Sequence, residues 1–187
     1  MPKKLILIVG LSGSGKSTVS DFIKKRFNAD VFLSGDIVRD ETKRRGLSYT
    51  PENDSKIAHW FNLKGRENLL VKRMLFKAEK SKKNLIVLEG FRSDQDLKYI
   101  KEMSKTKPFV IAIKAPFNVR ARRLLKRKKR FDEDPIKYLR FRDKEEKGHG
   151  VIKLMKKADY TIDNSKLNKK QTNERANRIM KEILSSS

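Results

Sequence analysis

Short, solidly apolar runs alternate along this chain with longer segments in which apolar residues recur every three or four positions. Leu5-Ile6-Leu7-Ile8-Val9 is an unbroken aliphatic run flanked by Lys and Gly. It predicts a strand over 3–9 that is buried on both faces. Comparable runs predict strands at 84–88 and 109–113, and shorter, more mixed segments predict strands at 30–33 and 160–163. Helical spacing fills the intervals. Residues 17–27 put Val19, Phe22, Ile23 and Phe27 on one face, 37–45 is ended by Gly46, and Pro51 opens a helix that holds Ile57, Trp60, Phe61 and Leu63 and stops near Gly65. Another carries Leu69, Leu70, Met74, Leu75 and Ala78, and 94–103 forms the next. Pro116 begins a long basic helix, 136–147 resumes after the interruption at 131–135, a short helix follows Gly148-His149-Gly150, and 169–184 is the last. Strands alternating with helices predict an α/β fold with a five-stranded parallel sheet covered on both faces.

The first strand runs into Gly10-Leu11-Ser12-Gly13-Ser14-Gly15-Lys16-Ser17, followed by Thr18 and a helix. This fits G-x-x-x-x-G-K-[ST] in the strand–loop–helix setting that a phosphate-binding loop requires. The glycines let successive backbone N–H groups face one anion, the helix adds its positive end, Lys16 a point charge and Ser17 a Mg²⁺ ligand.

In open parallel sheets ligands bind beyond the carboxyl ends of the strands, so the residues just past each strand are the candidates. These are Ser34, Gly35, Asp36 and Arg39 after the second strand and Glu89, Gly90, Phe91 and Arg92 after the third. Arg120 and Arg123 follow the fourth, and Asp163 and Asn164 the last. Glu89 first and Asp36 second are the carboxylates expected to orient water around Mg²⁺ beside Ser17, with helix capping the plainer reading of Asp36. Arg39 and Arg92 suit a second anion, since a guanidinium grips phosphate at two points. Residues 120–130 hold eight cations in eleven positions and no acid. On a helix Arg120, Arg123 and Arg127 share a face that would point at a transferred phosphoryl group, whose loose transition state asks mainly for positive charge. Arg130 is expected on a mobile lid that Arg140 and Arg142 complete. His149, between two glycines, reads as a local cap more readily than as an acid–base group. Trp60 and Phe61 read as packing residues, with base stacking the alternative.

Composition narrows this further. At 187 residues, 37% apolar and 37% charged, the chain suits one soluble domain. No apolar run nears the roughly 20 residues of a membrane helix, and Met1-Pro2-Lys3-Lys4 leads straight into a strand. A cytoplasmic protein without membrane contact is therefore expected. The absence of cysteine excludes disulfides and thiol chemistry. The net charge of +24 predicts attraction to polyanions, either several phosphates on small ligands or an RNA or DNA backbone, with a solvated basic surface as the bland alternative.

Taken together these segments resemble the nucleoside monophosphate kinases, most closely an archaeal group of adenylate-kinase-related P-loop proteins, from Leu5 to about Asn164. Leu33-Ser34-Gly35-Asp36-Ile37-Val38-Arg39 is similar to the acceptor-binding S/T-G-D-x-x-R segment of adenylate kinase, and Leu88-Glu89-Gly90-Phe91-Arg92 to its L-D-G-F-P-R. The spacing of Arg123 and Arg127 matches R-x-x-x-R at the start of the lid, and residues 158–164 look like the last strand shared with dephospho-coenzyme A kinases. Glu89 stands in place of the usual aspartate, the proline before the arginine is missing, and 130–135 is far shorter than a full lid.

The resemblance implies a three-layer α/β/α P-loop kinase fold in one domain over 1–187. The core would be 1–34, 84–119 and 148–187, with a helical acceptor-binding region at about 35–80 and a short basic lid at about 120–147. Gly10, Ser12, Gly13, Ser14, Gly15, Lys16, Ser17 and Thr18 would bind ATP. Ser34, Gly35, Arg39, Gly90, Phe91 and Arg92 would bind an AMP-like acceptor, and Ser17, Asp36 and Glu89 would form the Mg²⁺ shell. Lys16, Arg92, Arg123 and Arg127 would act in transfer, with Arg120, Arg130, Arg140 and Arg142 on the lid. Expected as alternatives are dephospho-coenzyme A or a polynucleotide end as acceptor, or a nucleotide-binding switch or slow ATPase on an RNA or protein partner. Either a monomer or a dimer fits.

Overall fold

β1 (Lys4–Val9) is the middle strand of the sheet, because its aliphatic run has apolar neighbours on both faces and on both edges. In the computed structural model, which describes residues 4–61, 63–66, 68–104, 106–126 and 134–186, β3 (Leu85–Glu89) and β4 (Phe109–Lys114) flank it. β2 (Asp30–Leu33) and β5 (Tyr160–Asp163) lie outside them, giving the order β2-β3-β1-β4-β5 with every pairing parallel. The twofold alternation of strand side chains divides the core. Ile6 and Ile8 face α1 (Lys16–Phe27) and α9 (Lys169–Ser185), whose Val19, Ile23, Ala176, Met180 and Ile183 are buried there. Leu5, Leu7 and Val9 face the other layer.

That second layer contains α2 (Ser34–Arg44), α3 (Pro51–Trp60), α4 (Leu69–Glu79), α5 (Asp94–Met103) and α8 (Val151–Lys156). The result is a three-layer α/β/α sandwich. Glu41, buried in α2, bonds Arg44 and Arg45 of its own segment and Arg73 of α4. Those guanidiniums, Arg44 first, hold its carboxyl well below the usual carboxylate range. A carboxylate buried among three cations ties α2 to α4 beside the sheet's second strand.

The helix opened by Pro51 ends at Trp60, short of Phe61 and Leu63, and two other boundary shifts matter for the site. Glu89 is the last residue of β3, paired in register with Ile8 and Leu33, and so is held by the sheet instead of by a loop. α2 starts at Ser34, directly after β2, so Ser34, Gly35 and Asp36 form its first turn. α6 (Phe117–Lys126) and α7 (Pro135–Gly148) complete the described helices. Arg127 and Arg130 lie outside the described residues.

Candidate functional site

The glycine-rich loop joins β1 to α1, and its shape is imposed from behind. Gly15 caps α1 with φ 105°, a conformation that L side chains rarely adopt. A Cβ there would lie 2.3 Å from Asn164 Nδ2. Asn164 Nδ2 donates to the Ser14 carbonyl at 2.8 Å, and Arg123 Nη1 donates to the same oxygen at 3.0 Å. Arg120 Nη1 donates to the Ser12 carbonyl at 3.1 Å. In a trans peptide the carbonyl and the following N–H point in opposite directions. Holding the Ser12 and Ser14 carbonyls at the back therefore turns the N–H groups of Gly13 and Gly15 to the front, where an anion would sit.

This placement corrects the expected role of the arginine face. Arg120 is 2% exposed, and its two terminal nitrogens each donate to an Asp143 oxygen on α7 at 2.6 Å, while Nε donates to the Ala115 carbonyl. A buried guanidinium requires a carboxylate partner, and this one spends its donors on α7 and the loop backbone instead of on a ligand. Arg123 likewise grips backbone carbonyls, those of Ser14 and Asn164. Arg140 is exposed on α7. Arg142 is the arginine of that helix that faces the loop.

In front of the loop lies a cleft of about 330 Å³. Gly10, Ser12, Gly13, Lys16 and Ser17 line one side, and Ser34, Gly35, Arg39, Glu89, Gly90, Phe91 and Arg92 the other, with Tyr138, Arg142 and Glu146 from α7 across the top. Lys16 Nζ donates to the Gly10 and Leu11 carbonyls at 2.7 and 3.1 Å. Burial lowers its pKa from the ordinary lysine value, against the pull of the Glu146 and Glu89 carboxylates. Glu89 Oε1 accepts from Ser17 Oγ at 3.3 Å and Oε2 from Ser20 Oγ at 2.6 Å. A hydroxyl beside a carboxylate is the hard-oxygen donor set that suits Mg²⁺. Asp36 does not share it: its carboxylate pairs with Arg39 one turn on, and it is not among the described residues that line the cleft.

Across the cleft from the loop the backbone is equally constrained. Gly90 has φ 104°, and a Cβ on it would lie 2.1 Å from Ser34 Oγ, so β3 and α2 close on each other only through glycine. The Phe91 ring is buried in the core, which leaves its backbone at the cleft. Arg92 lies at the junction of the cleft with a pocket walled by Ser34, Val38, Ala58, Phe61, Leu70 and Gln95. Among the described residues nothing accepts a hydrogen bond from its guanidinium. Burial and the neighbouring Arg142 cation lower its pKa. His149 borders the same pocket, and burial followed by the Arg92 cation pushes its pKa below the ordinary histidine value. Trp60 has the guanidiniums of Arg45 and Arg66 each 4.1 Å from its ring centroid, so it packs instead of offering a face to a base, while Phe61 is buried and forms part of the pocket wall.

Sequence reasoning missed Asp143, Glu146, Tyr138 and Gln95. Asn164 was marked by the strand-end rule without a role. Nothing in a run such as Asp143-Lys144-Glu145-Glu146 separates a buried acid from a solvated one.

A family model described as an AAA domain matches residues 9–140. A UPF0200 protein of Methanocaldococcus jannaschii is 35% identical over 183 residues, covering 96% of this chain and 90% of that protein. The chain belongs to the UPF0200 family. Another relative, the UPF0200/UPF0201 protein of Archaeoglobus fulgidus, is 33% identical over 164 residues, 87% of this chain, which spans about half (50%) of that protein's length. Among solved structures, the shikimate kinase of Bacteroides thetaiotaomicron aligns with a TM-score of 0.64 over 97% of this chain and 98% of that one, at 14% identity. This UPF0200 chain thus has the three-layer P-loop kinase fold with a five-stranded parallel sheet. At that identity the likeness carries the fold and not the acceptor.

Proposed function

We propose that this UPF0200 chain transfers the γ-phosphate of ATP to a phosphate-bearing acceptor, in the first place a nucleoside monophosphate such as AMP. The observation that carries the reading is Arg92. A half-buried guanidinium without a protein acceptor among the described residues, at the mouth of a pocket opposite a phosphate-binding loop, calls for an anion. The pocket behind it, with apolar walls from Val38, Ala58, Phe61 and Leu70 and polar groups from Ser34 and Gln95, suits the base of that anion.

The loop amides and Lys16 would hold the donor phosphates, with Ser17 and Glu89 holding Mg²⁺ between them. Mg²⁺ would neutralise charge on the donor phosphates when bound. Arg92 orients the acceptor phosphate, and Arg142 reaches the transferred group from α7. An acceptor phosphate is already a nucleophile at neutral pH, so no side chain need act as a strict general base. The expected outcome is ATP-dependent phosphorylation of at least one of the common nucleoside monophosphates or dephospho-coenzyme A in a coupled assay. Arg92→Ala would lower kcat/KM for that acceptor about 10- to 100-fold, the worth of a lost charged hydrogen-bond pair, while ATP affinity stays near wild type. Turnover no higher than in Lys16→Ala with every acceptor would refute the kinase reading, and ATP hydrolysis without an acceptor would support a nucleotide switch instead.

A further inference from the structure

Glu146, on the last turn of α7, is 6% exposed, and its Oε2 accepts a hydrogen bond from the Ser12 backbone N–H at 2.8 Å. Oε1 accepts from Arg142 Nη2 at 3.2 Å. A carboxylate is therefore seated on an amide of the phosphate-binding loop, between an arginine and the field of Lys16, in the surroundings a phosphate group would seek. Ser12 is at the β1 end of the loop and lines the same cleft as Lys16, Arg142 and Glu146. Asp143 also ties α7 to α6, through its two-point bond with Arg120. Arg142 is only partly engaged: its Nε is buried without a hydrogen-bond partner.

We infer that Glu146 is a built-in stand-in for the terminal phosphoryl group, holding the Ser12 amide and Arg142 until a donor nucleotide displaces it and takes both. A carboxylate and a phosphate cannot share one small set of donors, since like charges a few ångströms apart in a half-buried site repel strongly. Exchange needs only rotation of the Glu146 side chain away from the loop. Arg142 would then pass from the carboxylate to the phosphate, so that donor binding itself readies the arginine used in transfer. The price is donor affinity, part of which goes into expelling the stand-in.

The inference rests on the donor side of the reading above, and calorimetric titration of ATP and ADP with Mg²⁺ tests the two separately. Glu146→Ala is expected to bind ATP about tenfold more tightly than wild type, the worth of one charged hydrogen bond, and ADP with little change. Glu146→Gln keeps the shape and an amide oxygen for Ser12, so it guards against a folding defect in the alanine variant, and it should show a smaller gain in the same direction. A wild-type protein with no saturable ATP binding would sink the donor reading itself. Wild-type binding with neither folded variant tighter, or with equal gains for ATP and ADP, would overturn the stand-in alone.

Discussion

His149 shows how one residue reports on the charge around it. Burial lowers its pKa from 6.5, the nearby Arg92 cation adds to the effect, and Glu145, with Oε2 4.0 Å from the imidazole Nε2, pulls the other way. Because the folded value lies below the unfolded one, the unfolded chain takes up the proton first as pH falls. The group therefore costs no stability above 6.5 and progressively more as the pH drops through that value to the folded midpoint. A phosphate-bearing ligand on Arg92 would cancel the cation's repulsion and raise the midpoint. Proton NMR of the imidazole signals, with His59→Gln to assign them, should show His149 titrating below 6.5 alone and higher once an acceptor is present. A midpoint indifferent to acceptor would remove the anion from the neighbourhood of Arg92.

At the scale of the elements, the three central strands were legible because apolar runs of five or six residues have few alternatives, the short outer strands because they fall in the gaps between helical patterns, and the loop because its glycines follow a strand. The arginine face of α6 was not, because its meaning depends on Asp143, 23 residues further on, and helical spacing is silent about such partners. Asp36 was misplaced for a similar reason: α2 begins three residues early, and its first turn delivers the carboxylate to Arg39. The Arg120–Asp143 pair makes an element-scale prediction, since it links the loop, α6 and α7. Asp143→Ala leaves a buried guanidinium unpaired and should cost about 3–5 kcal/mol. That is on the order of 10 °C in Tm for a chain of this size, read by thermal denaturation. Replacing both partners, Arg120→Met with Asp143→Leu, should recover most of the stability by removing the stranded charge. It should not recover nucleotide affinity, because the bond from Arg120 to the Ser12 carbonyl that shapes the loop is gone. Joint recovery of both would show that Arg120 serves packing alone.

For the whole molecule the open matter is what a net charge of +24 is for. Glu41, Asp143 and Glu146 are buried against arginines, pairs that cancel within the fold, so the excess of +24 is carried by the remaining cations. Such a surface attracts any polyanion at low salt, and the attraction alone cannot distinguish a polynucleotide substrate from nonspecific adhesion. Salt dependence can. Exposed lysines acting through solvent are screened within a Debye length of about 8 Å at physiological ionic strength, whereas Lys16, Arg92 and Arg142 act within a half-buried cleft where screening is weak. For a small-molecule kinase, affinity for a labelled single-stranded RNA, followed by fluorescence anisotropy, should fall by about 10³-fold or more between roughly 0.05 and 0.2 M salt. Over the same range ATP affinity should change by less than about tenfold. RNA binding that survives physiological salt and is competed by ATP or by Arg92→Ala would instead place a polynucleotide end in the acceptor pocket.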